Sequence, residues 1–408
     1  MKAGHPVRMR VLGTGVGVAV LAALTPAGAT ADEPAGTAAG DVVTIGHRGA
    51  AGLAPENTLA GIAAGAAAGP DFVEIDVQLS ADGVPVLLHD ATPARTTDVE
   101  TVFPDRASAP VGAFTYAELQ QLDAGSWFGP DFAGQRMPTF SQTLDALPDG
   151  VGVLIELKEP ANSPGVVDVV VDELAADPRW AALADAGQLM TISFDHGALR
   201  QFHDLRPDIP VMALGAIPAD DAALTELAGW ADALGTNYRS LDPADIARVQ
   251  DTGMLIGVYT VNGPVQTREL LDLGIDTITS DYPGMLVNVV AGKPPVPDAN
   301  GIVVSQINAN VPGDDIQPEN GEHVVLTNTG SRPVNVGGYV IQDAAINRLV
   351  IGRGYLLHPG AELRVYTAAG TNTKDRYYND LGRAVLNNGG DTVAVFTRKG
   401  TLVDLTAN

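Results

Sequence analysis

Val42-Val43-Thr44-Ile45-Gly46-His47-Arg48-Gly49 is a short β-branched run that breaks into a histidine and an arginine between glycines, and Pro55-Glu56-Asn57-Thr58 follows a few residues later. Thr58–Ala68 is alanine-rich and predicts a helix. Together they read as a strand, a tight polar loop and a helix, with glycine letting the backbone turn sharply. A histidine, an arginine and a glutamate held in one such loop suit an anionic substrate.

The same texture repeats downstream. Strands are expected at Val42–Ile45, Phe72–Val77, Val86–Leu88, Val153–Leu157, Met190–Ser193, Val211–Leu214, Ala233–Thr236, Leu255–Thr260 and Thr277–Thr279. Helical stretches such as Phe140–Leu147, Val166–Ala175, Pro243–Asp251 and Val265–Leu273 fall between them. Alternating strand and helix predicts a parallel sheet, and about eight repeats over roughly 250 residues predict a closed (β/α)8 TIM barrel. An open doubly wound sheet is the alternative, although no G-x-G-x-x-G follows the first strand.

In such a barrel the site forms at the C-terminal ends of the strands. His47 and Arg48 end the first strand, and His89-Asp90 ends Val86-Leu87-Leu88. Glu74 and Asp76 are two apart and share one face of their strand; Glu156 and Lys158 are spaced in the same way. Carboxylates inside apolar strands are costly to bury unless they are paired or bound to metal. Glu74, Asp76 and Glu156 make a hard all-oxygen set, which favours one divalent cation, Ca²⁺ or Mg²⁺, over zinc. Histidine titrates near neutral pH, so His47 and His89 suit a division of general-acid and general-base duties. His196 and His203 fall on a helical stretch and are expected to be non-catalytic.

The 408 residues exceed one ordinary core and predict two domains. Cysteine is absent, which excludes disulfides, thiolate metal sites and a cysteine nucleophile. Lys2, Arg8 and Arg10, the apolar run Val11–Leu24 and Ala29-Thr30-Ala31 have the order of a secretory signal peptide, residues 1–31, so a secreted protein with no transmembrane anchor in the mature chain is expected. Ten acidic and nine basic side chains lie beyond residue 299, and three basic ones lie in the leader, so residues 32–299 carry a net charge of -27. Nucleic acid is not expected as a partner, and anionic membrane surfaces are repelled unless cations intervene.

Gly292-Lys293-Pro294-Pro295-Val296-Pro297-Asp298 marks a proline-rich linker over 291–299 between a first domain, 41–290, and a second, 300–408. Short alternating runs at His323–Thr327, Tyr339–Ile341, Glu362–Tyr366 and Thr392–Phe396, separated by glycine- and asparagine-rich turns, predict an all-β sandwich there. His323 and His358 are expected to face solvent.

Gly46-His47-Arg48-Gly49, Pro55-Glu56-Asn57-Thr58, Val73-Glu74-Ile75-Asp76-Val77 and Leu88-His89-Asp90 together resemble the glycerophosphodiester phosphodiesterase signature. Gly125-Ser126-Trp127-Phe128, Ile155-Glu156-Leu157-Lys158, Tyr259-Thr260-Val261-Asn262 and Thr279-Ser280-Asp281-Tyr282-Pro283 extend the resemblance to about Leu286. It implies a TIM barrel that hydrolyses a small-molecule glycerophosphodiester to glycerol 3-phosphate and an alcohol. His47 and His89 would be the acid–base pair, and Glu74, Asp76 and Glu156 would hold the divalent cation. Arg48 and Lys158 would bind phosphate, Glu56 would support the metal or His47 side, and Tyr259 would stand where tryptophan is common, against the alcohol. The segment Pro93–Pro148 resembles the family's insertion beside the site. The second domain resembles an immunoglobulin-like lamin tail domain, on Glu322–Asn328, Gly337-Gly338-Tyr339, Leu357–Gly360 and Leu386–Asp391; that resemblance implies interaction or anchoring at a cell wall or surface. Lysophospholipase D or sphingomyelinase D-like action on lipids, and a non-catalytic binding protein acting through the sandwich, are the competing expectations.

Overall fold

The computed structural model describes residues 42–408, so the leader-like segment lies outside the described residues. Nine strands form in the first domain: β1 (Val43–Gly46), β2 (Phe72–Leu79), β3 (Pro85–Leu87), β4 (Gly152–Leu157), β5 (Leu189–Ser193), β6 (Val211–Leu214), β7 (Ala233–Asn237), β8 (Leu255–Tyr259) and β9 (Thr277–Ser280). β1 pairs in parallel with both β9 and β2, which closes a ring of eight parallel strands. The run expected at Val86–Leu88 is not part of that ring: as β3 it pairs antiparallel with the outer length of β2.

The two faces of each strand make two separate cores. Val73, Ile75, Val77, Val153, Ile155 and Leu157 face outward and pack under the helices. The inward positions begin with Val43, Ile45, Phe72, Leu154, Met190, Ile192 and Met212, which fill the barrel interior. Towards the C-terminal ends this inward row changes from apolar to acidic, with Glu74 and Asp76 following Phe72, and Glu156 following Leu154. The site is therefore the last layer of the barrel filling.

One helical expectation is corrected. Phe140–Leu147 forms a helix only at Thr143–Ala146, because the backbone before it is committed to β3: Thr139 bridges Val86, and Phe140 N donates to Pro85 O at 2.9 Å. The Phe140 ring leaves the helical pattern and stacks on Trp180, centroids 4.5 Å apart and both rings fully buried. Residues between β3 and β4 wrap a small core of their own, including Val99, Val111, Phe114, Leu119 and Leu122.

The second domain carries ten strands: β10 (Ile302–Asn308), β11 (His323–Asn328), β12 (Val334–Asn335), β13 (Val340–Gln342), β14 (Arg348–Val350), β15 (Leu356–Leu357), β16 (Glu362–Tyr366), β17 (Arg376–Tyr378), β18 (Thr392–Phe396) and β19 (Leu402–Ala407). Two four-stranded sheets, β10-β11-β16-β17 and β14-β13-β18-β19, enclose an apolar core with Val324, Leu363, Val393 and Val395 at its centre. His323 is only partly open to solvent: its ring lies 4.5 Å from that of Tyr366, and its Nδ1 donates to Gly321 O at 3.0 Å.

The linker does not hold the domains apart. Val296 is buried with Tyr282, Met285 and Val289 of the barrel and Ala394, Phe396 and Leu405 of the sandwich. No helix of the described residues is long and apolar enough to cross a membrane.

Replacing Phe140 by alanine should cost about 3–5 kcal/mol, the usual range for truncating a fully buried aromatic side chain. Urea unfolding followed by far-ultraviolet circular dichroism measures it, and an unchanged midpoint would show that the stack carries no weight.

Candidate active site

The loop after β1 owes its shape to two close approaches. Gly49 has φ +89°, and a Cβ there would lie 2.3 Å from the Gly61 backbone of the helix Leu59–Ala67. A Cβ on Gly65 would lie 2.5 Å from Gly49 O. The helix therefore rests directly on the loop, which only glycine permits. Arg48 is left-handed at φ 49°, and this turns its backbone N–H onto Glu74 Oε2 at 2.6 Å.

Register brings the carboxylates together. Asp76 and Glu156 are direct partners across β2 and β4, and Glu74 stands two residues earlier on the same face. One oxygen from each of the three lies within 4.8 Å of the others, and all three residues are buried. Glu74 Oε1 and Asp76 Oδ1 are buried without a hydrogen-bond partner. Orphaned carboxylate oxygens converging on one point fit a hard divalent cation, as do all-oxygen donors.

Cations hem this cluster. Lys158 Nζ donates to Glu156 Oε1 at 2.7 Å and lies 3.5 Å from Asp76 Oδ1. Arg48 Nη1 donates to Glu56 Oε1 at 2.8 Å, and its Nε lies 3.6 Å from Asp76 Oδ2. Burial, then the charges of Asp76 and Glu156, push the Glu74 carboxyl well above the usual range. Burial and Asp76 push Glu156 up to about 7. Burial also opposes charge on Asp76, yet Arg48 and Lys158 hold it down at about 2. Asn57 adds a two-way clamp, donating Nδ2–H to Asp76 Oδ2 at 2.7 Å and accepting from Asp76 N at 3.1 Å.

Each histidine is oriented by its own carboxylate. His47 Nδ1 donates to Asp281 Oδ1 at 2.6 Å, and Asp281 Oδ2 accepts from Asn262 Nδ2 at 2.6 Å. Although burial opposes its charge, Asp281 is held below the usual carboxylate range by His47 and Asn262. His89 Nδ1 donates to Asp90 Oδ1 at 2.8 Å; Asp90 also accepts from Arg95 Nε at 2.7 Å. Gln78 Nε2 donates to Leu88 O at 2.7 Å and Asp90 O at 2.8 Å, fixing the exit from β3. Both imidazoles keep Nε2 available for proton transfer.

His47, Arg48, Glu74, His89, Glu156 and Lys158 line one cavity of about 190 Å³ with an apolar floor that includes Ile192 and Met212. Tyr259 closes one side, its ring 5.8 Å from that of Phe194, whose side chain is 54% exposed. Glu56 stands behind Arg48 and accepts two hydrogen bonds from Arg95, both at 2.8 Å. It buttresses the cations, and the cluster of candidate metal ligands does not include it. The residues that sequence reasoning left without a role are Asp281, Arg95, Asn57 and Asn262. The strand-end position of Asp281 was a signal, but its pairing with a histidine 234 residues earlier was not.

The metal-free cluster has a definite pH signature. The folded-state titration of Glu156 near 7 lies above its ordinary value of 4.5, so the folded chain retains a proton that the unfolded chain has lost. Stability from this group is present below about 4.5 and falls as pH rises through about 7. A divalent cation favours the ionised carboxylates. Added Ca²⁺ or Mg²⁺ should therefore raise the melting temperature clearly at about pH 8 and little at about pH 5; equal shifts at both would contradict a carboxylate site.

Comparison with known proteins agrees with this geometry. The family model for the glycerophosphoryl diester phosphodiesterase family matches residues 47–285, and that for the lamin tail domain matches 295–407. A glycerophosphodiester phosphodiesterase of Bacillus subtilis is 29% identical over 263 residues, covering 62% of this chain and 87% of the relative. One of Caldanaerobacter subterraneus is 29% identical over 250 residues, covering 61% and 97%. The solved structure of an Oleispira antarctica phosphodiesterase in complex with the product sn-glycerol-3-phosphate superposes with a TM-score of 0.54 at 29% identity, covering 61% of this chain and 96% of that one. With its barrel matched over residues 47–285, this chain belongs to the glycerophosphoryl diester phosphodiesterase family and carries a lamin tail domain behind the barrel.

Proposed function

We propose that this chain hydrolyses glycerophosphodiesters to glycerol 3-phosphate and an alcohol with His47 and His89 as the acid–base pair. The observation that carries the reading is the placement of both histidines, each held by its own carboxylate, on one cavity with the three clustered acids. A phosphodiester is a monoanion, so its charge must be met, a nucleophile oriented and the leaving oxygen protonated. Arg48 and Lys158 supply positive charge on the cavity wall. One histidine accepts the nucleophile's proton and the other delivers one to the leaving oxygen, with Asp281 and Asp90 steadying whichever ring carries charge. Glu74, Asp76 and Glu156 would hold one divalent cation, Ca²⁺ or Mg²⁺, which when bound supplies further charge against the phosphate oxygens. Phe194 and Tyr259 give the alcohol an aromatic wall. That half-exposed wall supports testing a lysophospholipid beside a water-soluble diester.

We further propose that the enzyme works outside the cytoplasm, a reading supported by the order of basic, apolar and small residues in 1–31.

Release of glycerol 3-phosphate from glycerophosphocholine, after chelation and with Ca²⁺ or Mg²⁺ restored, tests the reaction. Turnover should need the cation, and His47→Ala and His89→Ala should each lower kcat by about 10²–10⁴-fold. Full turnover in either variant, or turnover indifferent to chelation, would refute the assignment.

A further inference from the structure

We propose that the lamin tail sandwich is a positioning element of the active site, acting through Gln342 and Arg348 on the supports of both histidines; this rests on the catalytic reading above. Gln342 is 1% exposed and reaches out of β13 into the barrel. Its Nε2 donates to Gly52 O at 2.9 Å, in the loop that carries His47 and Arg48. Gly52 N in turn donates to Asp281 O at 3.0 Å, and the Asp281 side chain holds His47. Gly52 has no room to drift: a Cβ there would lie 2.4 Å from the ring of Tyr282, which is itself 2% exposed and within 3.5 Å of Gln342 Nε2.

The second branch leaves from the other end of the same amide. Gln342 Oε1 accepts from Arg348 Nε at 3.1 Å. The Arg348 guanidinium lies 4.8 Å from the centroid of the Phe128 ring, in the segment inserted between β3 and β4. Phe128 meets Trp127 edge to face at 5.7 Å, and Arg95 lies 5.8 Å from the Trp127 centroid. Arg95 donates to Asp90 Oδ2 at 2.7 Å, and Asp90 holds His89. One buried amide thus links the sandwich to both histidines. Among the described residues Arg348 contacts this amide and the Phe128 ring rather than a carboxylate, and burial lowers its basicity, so charge pairing does not explain its position.

If these contacts merely dock the domains, breaking them would lower stability and leave the chemistry alone. If they position, misplacement of a catalytic ring reduces turnover more than binding. The test uses the full chain. Gln342→Met keeps the bulk and removes every hydrogen bond of the amide, whereas Gln342→Glu keeps the acceptor for Arg348 and loses the donor to Gly52. Both should lower kcat for glycerophosphocholine about tenfold, with KM within about twofold. Both should also speed amide exchange in 47–54 and at Asp281 and Tyr282. Gln266→Met breaks a different contact between the domains, Gln266 Nε2 to Ala407 O at 3.2 Å, and should leave kcat unchanged. Arg348→Met, at a half-buried position, should lower kcat severalfold and speed exchange in 125–132, and it stands in if the Gln342 variants fail to fold. Folded Gln342→Met with wild-type kcat and exchange overturns the proposal, as does an equal loss in Gln266→Met. Exchange is read without substrate. An inactive wild-type chain would therefore count against the phosphodiesterase reading, while exchange alone decided the coupling.

Discussion

Three carboxylates with oxygens within 4.8 Å of one another, inside the mouth of a closed barrel, set the terms for everything around them. Like charges so close and so buried cannot all ionise without opposing charge. Arg48 and Lys158 supply part of it and hold Asp76 ionised, while burial and mutual repulsion push the Glu74 and Glu156 carboxyls up. The site is thus incompletely compensated by its own side chains. A divalent cation would fit that imbalance, since it would relieve the acids and leave the arginine and lysine to meet a phosphate oxygen in the proposed reaction. Against the domain's net charge of -27, Arg48 and Lys158 are the positive groups this cavity offers to an anion.

Around this cluster the histidines are built alike but from different parts of the chain. His47 is held by Asp281 from the end of β9, and His89 by the adjacent Asp90. Barrel closure between β9 and β1 delivers the first pair, since Thr279 and Ser280 lie in register with Ile45 and Gly46. The hairpin from β2 to β3, locked by Gln78, delivers the second. Both supports extend outward to residues that touch the sandwich. The second domain is consequently part of the architecture that aims the site, rather than a tethered neighbour.

How far the sequence reveals this depends on the separation of the partners. The period-2 alternation in β2 and β4 puts Glu74, Asp76 and Glu156 on one face, so the acidic cluster is legible from spacing once a parallel barrel is expected. Gly46-His47-Arg48-Gly49 is legible as a loop because glycine marks its turns. The pairing of His47 with Asp281 is not, because it exists only after eight strands have closed. Phe140 reads as the start of a helix, yet tertiary pairing with β3 takes its backbone and delays the helix to Thr143. His323 reads as a surface residue of an alternating strand and is instead packed on Tyr366. Gln342 looks like an ordinary strand residue; its partner Gly52 is 290 residues away, and no local pattern records the contact.

In the proposed reaction this cavity directs cleavage at phosphorus with protonation of the departing alcohol. The most direct measurement is turnover of glycerophosphocholine in ¹⁸O-labelled water, with both products weighed by mass spectrometry. One labelled oxygen is expected in the phosphoryl group of glycerol 3-phosphate and none in choline. Label in choline, or release of phosphocholine and glycerol, would contradict it.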